Sequence, residues 1–434
     1  MSLSTCIWSE LDEAARNVML RRPSMSTNGD TEIAVADIIA AVRKDGDRAL
    51  LRLTRRLDRA SLQSLRVTDQ EFESAREELD DKAVAAIDLA IANVRRFHQE
   101  QVPADITVDT MPGVRCERVS HPVESVGLYV PAGTAPLPSA AIMLAVPAEI
   151  AGCPNRIMCT PPRLDGSADP AVLIAASRAG VTQIYKVGGA QAIAAMAYGT
   201  DTVPKVDKIY GPGNAWVTCA KALVSADPDG AAIDMPAGPS EVLVIADDDA
   251  SPEFVAADLL SQAEHGVDSQ VMLVTTSIDL ATNVRQEIDS QLSDLSRAEI
   301  ANAAINNSRA IVVDDIATAV QVSNRYAPEH LILQVAGARN LLHAIRNAGS
   351  VFVGPWSPES AGDYCSGTNH VLPTYGYART YSGLGIDQFL RQMTVQELSK
   401  EGLIGLSETV VTLANLEGLD AHAAAVTRRL KATP

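Results

Sequence analysis

The run SQAEHG (261–266) crowds Gln262, Glu264 and His265 into what reads as the last turn of an apolar helix. With only seven histidines in the chain, each can be weighed individually. Ser251-Pro252-Glu253 is a helix start, with a capping serine, a proline at the first helical position and an acid near the positive end of the dipole. Gly266 is a stop. At about 100° per residue, Asp258, Gln262 and His265 fall within roughly 60° of one another, Leu259, Leu260, Ala256 and Ala263 lie opposite, and Glu264 points elsewhere. This stripe has two readings. It is either a solvated face with His265 at the negative end of the dipole, or a pair of donors, Gln262 and His265, that begins a metal site. Glutamine is an uncommon zinc ligand, and spacing alone does not decide.

Other stretches carry chemistry of their own. In NRYAPEHLIL (324–333), Glu329-His330 follows Pro328 at the start of a buried strand. A histidine beside a carboxylate can act as a base near neutral pH, or it can simply cap the strand. The segment WSPESAGDYCSGTNHVLPTYGY (356–377) is rich in Gly, Ser and Pro and reads as a loop at the carboxyl end of a sheet. It offers Asp363 and His370 as metal ligands. NLEGLDAHAAAV (415–426) places Glu417 and His422 in a helical tail, where His422 taken alone reads as a surface residue. KVGGAQAIAAMAYG (186–199) and YGPGNAWV (210–217) are strand-to-helix turns whose backbone N–H groups can cradle a phosphate or pyrophosphate. The dinucleotide fingerprint GxGxxG is absent, since GLGIDQ (383–388) lacks the third glycine. Cys116 and Cys153 are candidate nucleophiles towards an aldehyde. Neither has a histidine beside it in sequence, and buried structural thiols are the expectation.

The elements that must position these residues follow from periodicity. Residues 1–125 read as mostly helix. From residue 125, short β-type runs (SVGLYV, NRIMCT, QIYKV, DKIYG) alternate with small-residue helices. A second series, EVLVIAD, SQVMLVTT, RAIVV, HLILQV and GSVFVG, is likewise separated by helices. Strands spaced by single helices imply parallel βαβ units, hence an α/β protein with two parallel-sheet domains. After about Arg379 the chain reads as helical again.

Formal net charge is −18 with a pI near 4.8. Such a surface repels nucleic acid and anionic membranes and tolerates a neutral or cationic small ligand. The longest apolar run, Ala140–Ala148, is far short of the roughly 20 residues needed to span a bilayer. The first twenty residues carry no basic leader before an apolar stretch. The six cysteines are scattered without a CxxC, which suggests neither a disulfide framework nor a zinc finger. A cytoplasmic protein without membrane or nucleic-acid partners is expected.

Six stretches in order, VGGAQAIAA, KVDKIYGPGNAWV, DMPAGPSEVLVIAD, SQAEHG, YAPEHLI and SPESAGDYCSGTNHVLPTYG, resemble the histidinol dehydrogenase family, and the resemblance covers nearly the whole chain. It implies four-electron oxidation of L-histidinol to L-histidine through L-histidinaldehyde with two NAD, the last steps of histidine biosynthesis. Carried over by motif, the ligands of one zinc per subunit would be Gln262, His265, Asp363 and His422. Glu329 and His330 would be catalytic, Glu329 activating water and His330 acting as base. Ser240 and Glu417 would complete a substrate pocket with the zinc ligands and His330, and Tyr129, Gln191 and Asn214 would contact NAD. Asp258 is our candidate for orienting the metal ligands. The resemblance also implies incomplete Rossmann domains of aldehyde dehydrogenase type and a homodimer in which Glu417 and His422 enter the partner's site. The expected division is an N-terminal arm (1–25), a metal and catalytic domain (26–128 with 239–381), an NAD-contacting domain (129–238) and a helical C-terminal arm (382–434). A zinc hydrolase and a non-catalytic binding protein are the competing classes. The first leaves the Gln191 and Asn214 turns unexplained, and the second has no need of Glu329-His330.

Overall fold

The computed structural model describes residues 3–23, 29–132, 135–235 and 238–432. The chain opens with a short strand, β1 (Ser4–Ile7), and helix α1 (Glu13–Met19), capped by Asp12 accepting from Ala15 N at 2.7 Å. Four helices follow: α2 (Gly29–Asp45), α3 (Asp47–Leu57), α4 (Asp69–Glu78) and α5 (Asp81–Gln99). A hairpin of β2 (Ile106–Met111) and β3 (Val114–Pro122) leads to the first α/β series. That series runs β4 (Ser125–Tyr129), α6 (Pro138–Ile150), β5 (Asn155–Thr160), α7 (Pro170–Arg178), β6 (Gln183–Lys186), α8 (Gly189–Tyr198), β7 (Lys208–Tyr210), α9 (Ala215–Ala226) and β8 (Ala232–Ile233). Its strands form a parallel sheet ordered β6-β5-β4-β7-β8.

The second series runs β9 (Glu241–Ala246), α10 (Pro252–Ala263), β10 (Gln270–Thr275), α11 (Ile278–Leu292), α12 (Ala298–Asn306), β11 (Arg309–Val312), α13 (Ile316–Tyr326), β12 (His330–Gln334) and β13 (Ser350–Val353). With β1 it forms a six-stranded parallel sheet ordered β1-β11-β10-β9-β12-β13. Every residue of β9, β10 and β12 is buried, as expected of parallel strands covered on both faces. Val242 and Val244 of β9 join α10–α12 on one face, and Leu243 and Ile245 join α13 and Trp8 on the other, which is the strand's two-residue alternation. The chain ends with α14 (Glu359–Tyr364), β14 (Leu390–Leu398), α15 (Lys400–Leu416) and α16 (Asp420–Lys431).

The α/β class with two parallel sheets is therefore as expected, and all nine strands read from the two alternating series are present. Residues 1–125 are mostly helix, as expected, with β1, β2 and β3 as the exceptions, whereas the chain after Arg379 is not uniformly helical. β1 adds an edge to the six-stranded sheet, and β14 pairs antiparallel with β3 in a separate sheet ordered β14-β3-β2. β2 and β14 are mostly exposed and β3 is half-buried, with Val114 the one buried residue among the three, so no buried apolar face marks them as strands in sequence. The segment 356–377 is not wholly loop, because it contains α14.

The packing also groups the chain differently from the expected division. α4 and α5 share a core with β4, α6 and α7, and α2 and α3 share one with Tyr129, β5, α8 and α9. The helices between 29 and 99 thus cover the five-stranded sheet, not the six-stranded one. Of the expected N-terminal arm, the described residues 3–23 belong with the six-stranded sheet, since β1 lies in it and Trp8 and Leu20 are in its core.

Candidate functional site

α10 begins as its sequence dictates, with Ser251 accepting from Phe254 N and Pro252 in the first turn, but it ends at Ala263. His265 therefore sits in the turn beyond the helix rather than in its last turn. Because α10 returns against the strand direction, its C-terminal end lies at the amino edge of the six-stranded sheet. The β9 residue Glu241 and the β12 residue His330 begin their strands at that same edge, in register Val242 with His330 and His330 with Ser350. α14 packs along α10 and brings Asp363 there. The site is consequently at the amino ends of these strands, not at the carboxyl end expected for 356–377.

His330 is at the centre. Its Nδ1 lies 3.1 Å from the carbonyl oxygen of Glu241. A carbonyl only accepts, so Nδ1 carries the proton and, in the neutral ring, Nε2 is the basic atom. Nε2 faces Asp363 Oδ1 at 3.6 Å. Behind Nδ1 stand Glu329 at 3.6 Å and Glu359 at 3.8 Å. Glu329 Oε2 accepts from Glu241 N at 2.8 Å. His330, Glu359 and Asp363 each offer an atom within 4.8 Å of the others.

The charges follow from burial and proximity. Burial raises Glu329 to about 8, against the opposing pull of His330 and of the Glu241 N–H. Glu359 is likewise raised well above the carboxylate range by burial. Burial disfavours the imidazolium of His330, but Glu359, Glu329 and Asp363 outweigh it and its pKa is raised. For Asp363 burial acts upward, and the nearby His330 imidazole brings the net shift downward. His265 is lowered by burial and feels Asp363, His330 and His370, which places its ring in the same electrostatic cluster.

A cation suits this donor set. Gln262 is 0% exposed, and neither its amide oxygen nor its nitrogen has a hydrogen-bond partner; His330 Nε2 and Glu359 Oε2 are also unpartnered. Each such atom costs about 1–3 kcal/mol if left unmatched. Carboxylate, imidazole and amide oxygen are all zinc-compatible donors. Asp258 does not orient Gln262, because its carboxylate accepts from Gln334 Nε2 at 2.8 Å and is raised to about 6 by burial. His370 directs Nδ1 at the Asp363 carbonyl oxygen, 2.8 Å away, and so buttresses α14. Ser240 immediately precedes β9, with its carbonyl accepting from Gln270 N.

Glu417 and His422 are not brought to this edge. Glu417 caps the C-terminus of α15 and is exposed, and His422 is exposed on α16, which packs on α15. Cys153 is buried in the core of the five-stranded sheet, and burial raises its thiol to about 11. Cys116 lies in β3, opposite Gln396 and Val108. Neither thiol neighbours His330.

The NAD candidates lie at the carboxyl edge of the five-stranded sheet. Tyr129 ends β4, and its hydroxyl accepts from Gly189 N at 3.0 Å at the start of α8. Gln191, in the first turn of α8, is buried and reaches Asp58 Oδ2 at 3.4 Å. Asn214 caps α9 by accepting from Trp216 N and Val217 N. A side chain on Gly188 would strike Pro161 at 2.5 Å, and one on Gly213 would strike Val217 at 2.3 Å. Both turns are thus built for glycine, with helix N-termini facing out of strand ends as an anionic cofactor requires.

Sequence reasoning missed Glu359. It is only 1% exposed and lies one helical turn before Asp363. The spacing ESAGD carries the signal, since i and i+4 share a helix face, but the segment was read as loop.

Comparisons with known proteins point to one family. The family model described as histidinol dehydrogenase matches residues 20–430. Histidinol dehydrogenase of Vibrio vulnificus (strain YJ016) is 55% identical over 429 residues, covering 99% of each chain. That of Escherichia coli (strain K12) is 53% identical over 433 residues, covering 100% of this chain and 99% of its own. The crystal structure of histidinol dehydrogenase from Elizabethkingia anophelis superposes with a TM-score of 0.95 at 45% identity, covering 99% of this chain and 98% of that one.

Proposed function

The chain belongs to the histidinol dehydrogenase family and is an oxidoreductase of histidine biosynthesis that acts on histidinol, and from that premise we propose the full four-electron reaction, L-histidinol to L-histidinaldehyde to L-histidine, at the amino edge of the six-stranded sheet. The observation that carries it is the buried Glu329–His330 pair with His330 Nε2 facing Asp363, together with a buried, unpartnered Gln262 near the end of α10.

Gln262, His265 and Asp363 would hold zinc together with His422 of the partner subunit. Zinc, when bound, supplies a positioning Lewis acid for the imidazole and amino nitrogens of the substrate. Alcohol oxidation requires loss of the hydroxyl proton as hydride leaves carbon, and His330 takes that proton at Nε2. NAD, held at the turns of Tyr129, Gln191 and Asn214, would be the hydride acceptor. An aldehyde has no such hydride to give until water has added, and Glu329, once ionised, removes a proton from that water. His330 then deprotonates the hydrate as the second hydride departs. Two adjacent bases with separate tasks account for Glu and His side by side. Tyr129, Gln191 and Asn214 shape the cofactor turns, and Ser240 borders the substrate beside β9.

A homodimer supports the remaining roles. On the β2–β3–β14 ribbon and the α15–α16 pair, Ile106, Val108, Met393, Leu398, Ile404, Leu413, Leu416 and Leu419 are exposed. Exposed apolar residues on these elements would suit a partner surface, which would carry Glu417 and His422 into the other subunit's site. No helix among the described residues is long and apolar enough to cross a membrane, and all six cysteines are free, in keeping with a cytoplasmic location. The test is NADH formation with L-histidinol by wild type and by His330→Asn. Histidinol-dependent NADH in the first and its loss in the second are expected. A His330→Asn enzyme with wild-type turnover would overturn the assignment, and absence of NADH from zinc-loaded wild type would favour a hydrolase.

A further inference from the structure

Glu329 and His330 do not hold themselves in place. Both are tied to the backbone of a single residue, Glu241, on the neighbouring strand. Glu241 N donates to Glu329 Oε2 at 2.8 Å, and Glu241 O receives the His330 Nδ1 proton at 3.1 Å. What fixes residue 241 therefore fixes the carboxylate's orientation and the face of the imidazole that is left basic. The Glu241 side chain is 1% exposed, and its carboxylate is gripped from the far side by Arg22. The guanidinium donates through Nε to Oε1 and through Nη2 to Oε2 at 2.8 Å, a two-pronged pairing. Tyr375 N adds a hydrogen bond to Oε1 at 2.8 Å.

Arg22 also reaches the catalytic pair by a second path. Its Nη2 donates to the carbonyls of Tyr326 and Ala327 at 2.9 and 3.2 Å. These carbonyls close α13 two residues before Glu329, where Ala327 adopts a left-handed backbone with φ 57°. The guanidinium lies over the Tyr326 ring at 3.9 Å. One side chain from the N-terminal segment thus binds the start of β9 and the turn into β12, the two strand ends that bear the site. A buried ion pair by itself contributes little net stability over apolar packing of similar shape. Its fixed, planar geometry is what distinguishes it.

We propose that Arg22 is a positioning residue of the reaction: by clamping Glu241 and the Tyr326–Ala327 carbonyls it sets the orientation of Glu329 and His330. The proposal rests on the catalytic reading of that pair.

The experiment measures kcat, KM for L-histidinol and zinc content of Arg22→Met, Arg22→Lys and the double variant Arg22→Met with Glu241→Gln, alongside His330→Asn. The double variant keeps the residue 241 peptide and leaves no stranded charge, so it provides a folded test if Arg22→Met alone does not fold. A displacement of about 1 Å at a catalytic group can cost of the order of 10²-fold. The expectation is a fall of kcat of that size in Arg22→Met and the double variant, with zinc content unchanged and KM within about twofold, since such a pattern marks an interaction realised in the transition state. Arg22→Lys should recover part of the loss, because an ammonium restores the charge but not the fork. A purely structural arginine would lower the thermal midpoint without this split of kcat from KM. Wild-type kcat in folded Arg22→Met and the double variant, with His330→Asn inactive, would overturn the clamp alone. Wild-type turnover in His330→Asn would overturn the catalytic reading and the clamp with it.

Discussion

At the scale of the residue, the account depends on how burial tunes two neighbouring bases. Glu329 is raised to about 8, and only its ionised form can accept a proton from water. Oxidation of L-histidinaldehyde should therefore rise with pH through about 8 and level off above it, and Glu329→Gln should remove that limb while lowering the rate roughly 10²- to 10⁴-fold. The sign for stability is opposite. With its folded pKa above the ordinary value, the group's contribution is intact below the usual carboxylate range and is lost as pH rises through about 8. Glu329→Gln should raise Tm in alkaline solution and leave it unchanged in acid, and a Tm difference independent of pH would count against the buried carboxyl. Glu359 Oε1 stands 3.8 Å from His330 Nδ1. Glu359→Ala should lower kcat by about 10- to 100-fold, the equivalent of about 1–3 kcal/mol for a lost buried polar partner. A variant with normal kcat would reduce Glu359 to packing.

At the scale of the element, α14 is the part that converts a Gly-rich segment into a site. Gly362 lies where a side chain would meet Phe352 ring atoms at 2.6 and 2.7 Å, so α14 approaches β13 closely and Asp363 reaches His330. Gly362→Val should push α14 outward and weaken zinc affinity about 10- to 100-fold, the cost seen when a ligand's support is lost; chelator competition measures it, and unchanged affinity would show that Asp363 is not held by this contact. The same element shows where sequence reasoning ends. β9, β10 and β12 were legible because both faces are buried and the runs are continuously apolar. The Ser251-Pro252 start of α10 was legible because capping chemistry is local. α14 has six residues and no apolar period, and β2, β3 and β14 bury one residue, Val114, among them, so neither leaves a buried face to read. Glu241 and Arg22 are 219 residues apart; such a pairing is set by the register of the folded sheet and has no signature along the chain. Gln262, His265, Asp363, Glu329 and His330 could be singled out by type and spacing, but their meeting at the amino edge of the sheet follows only from the direction in which α10 and α14 return.

At the scale of the whole molecule, one chain gathers Gln262, His265 and Asp363 at one edge and leaves His422 exposed on α16. If the sites are completed between subunits, two inactive variants should complement one another. Subunits carrying His330→Asn and subunits carrying His422→Asn, mixed and reassociated in equal amounts, form mixed dimers with one intact site each. About one quarter of wild-type activity is then expected, because half of the dimers are mixed and one of their two sites works. Activity no higher than that of the separate variants would place His422 outside the partner's site. The most direct test of the central claim, four-electron oxidation at a metal-dependent site, is the yield of NADH per L-histidinol with histidinol limiting and NAD in excess, before chelation, after it and after zinc is restored. Two NADH per histidinol, abolished by the chelator and recovered with zinc, is the predicted result; one NADH would contradict the role given to Glu329, and a yield indifferent to chelation would contradict the metal site at Gln262, His265 and Asp363.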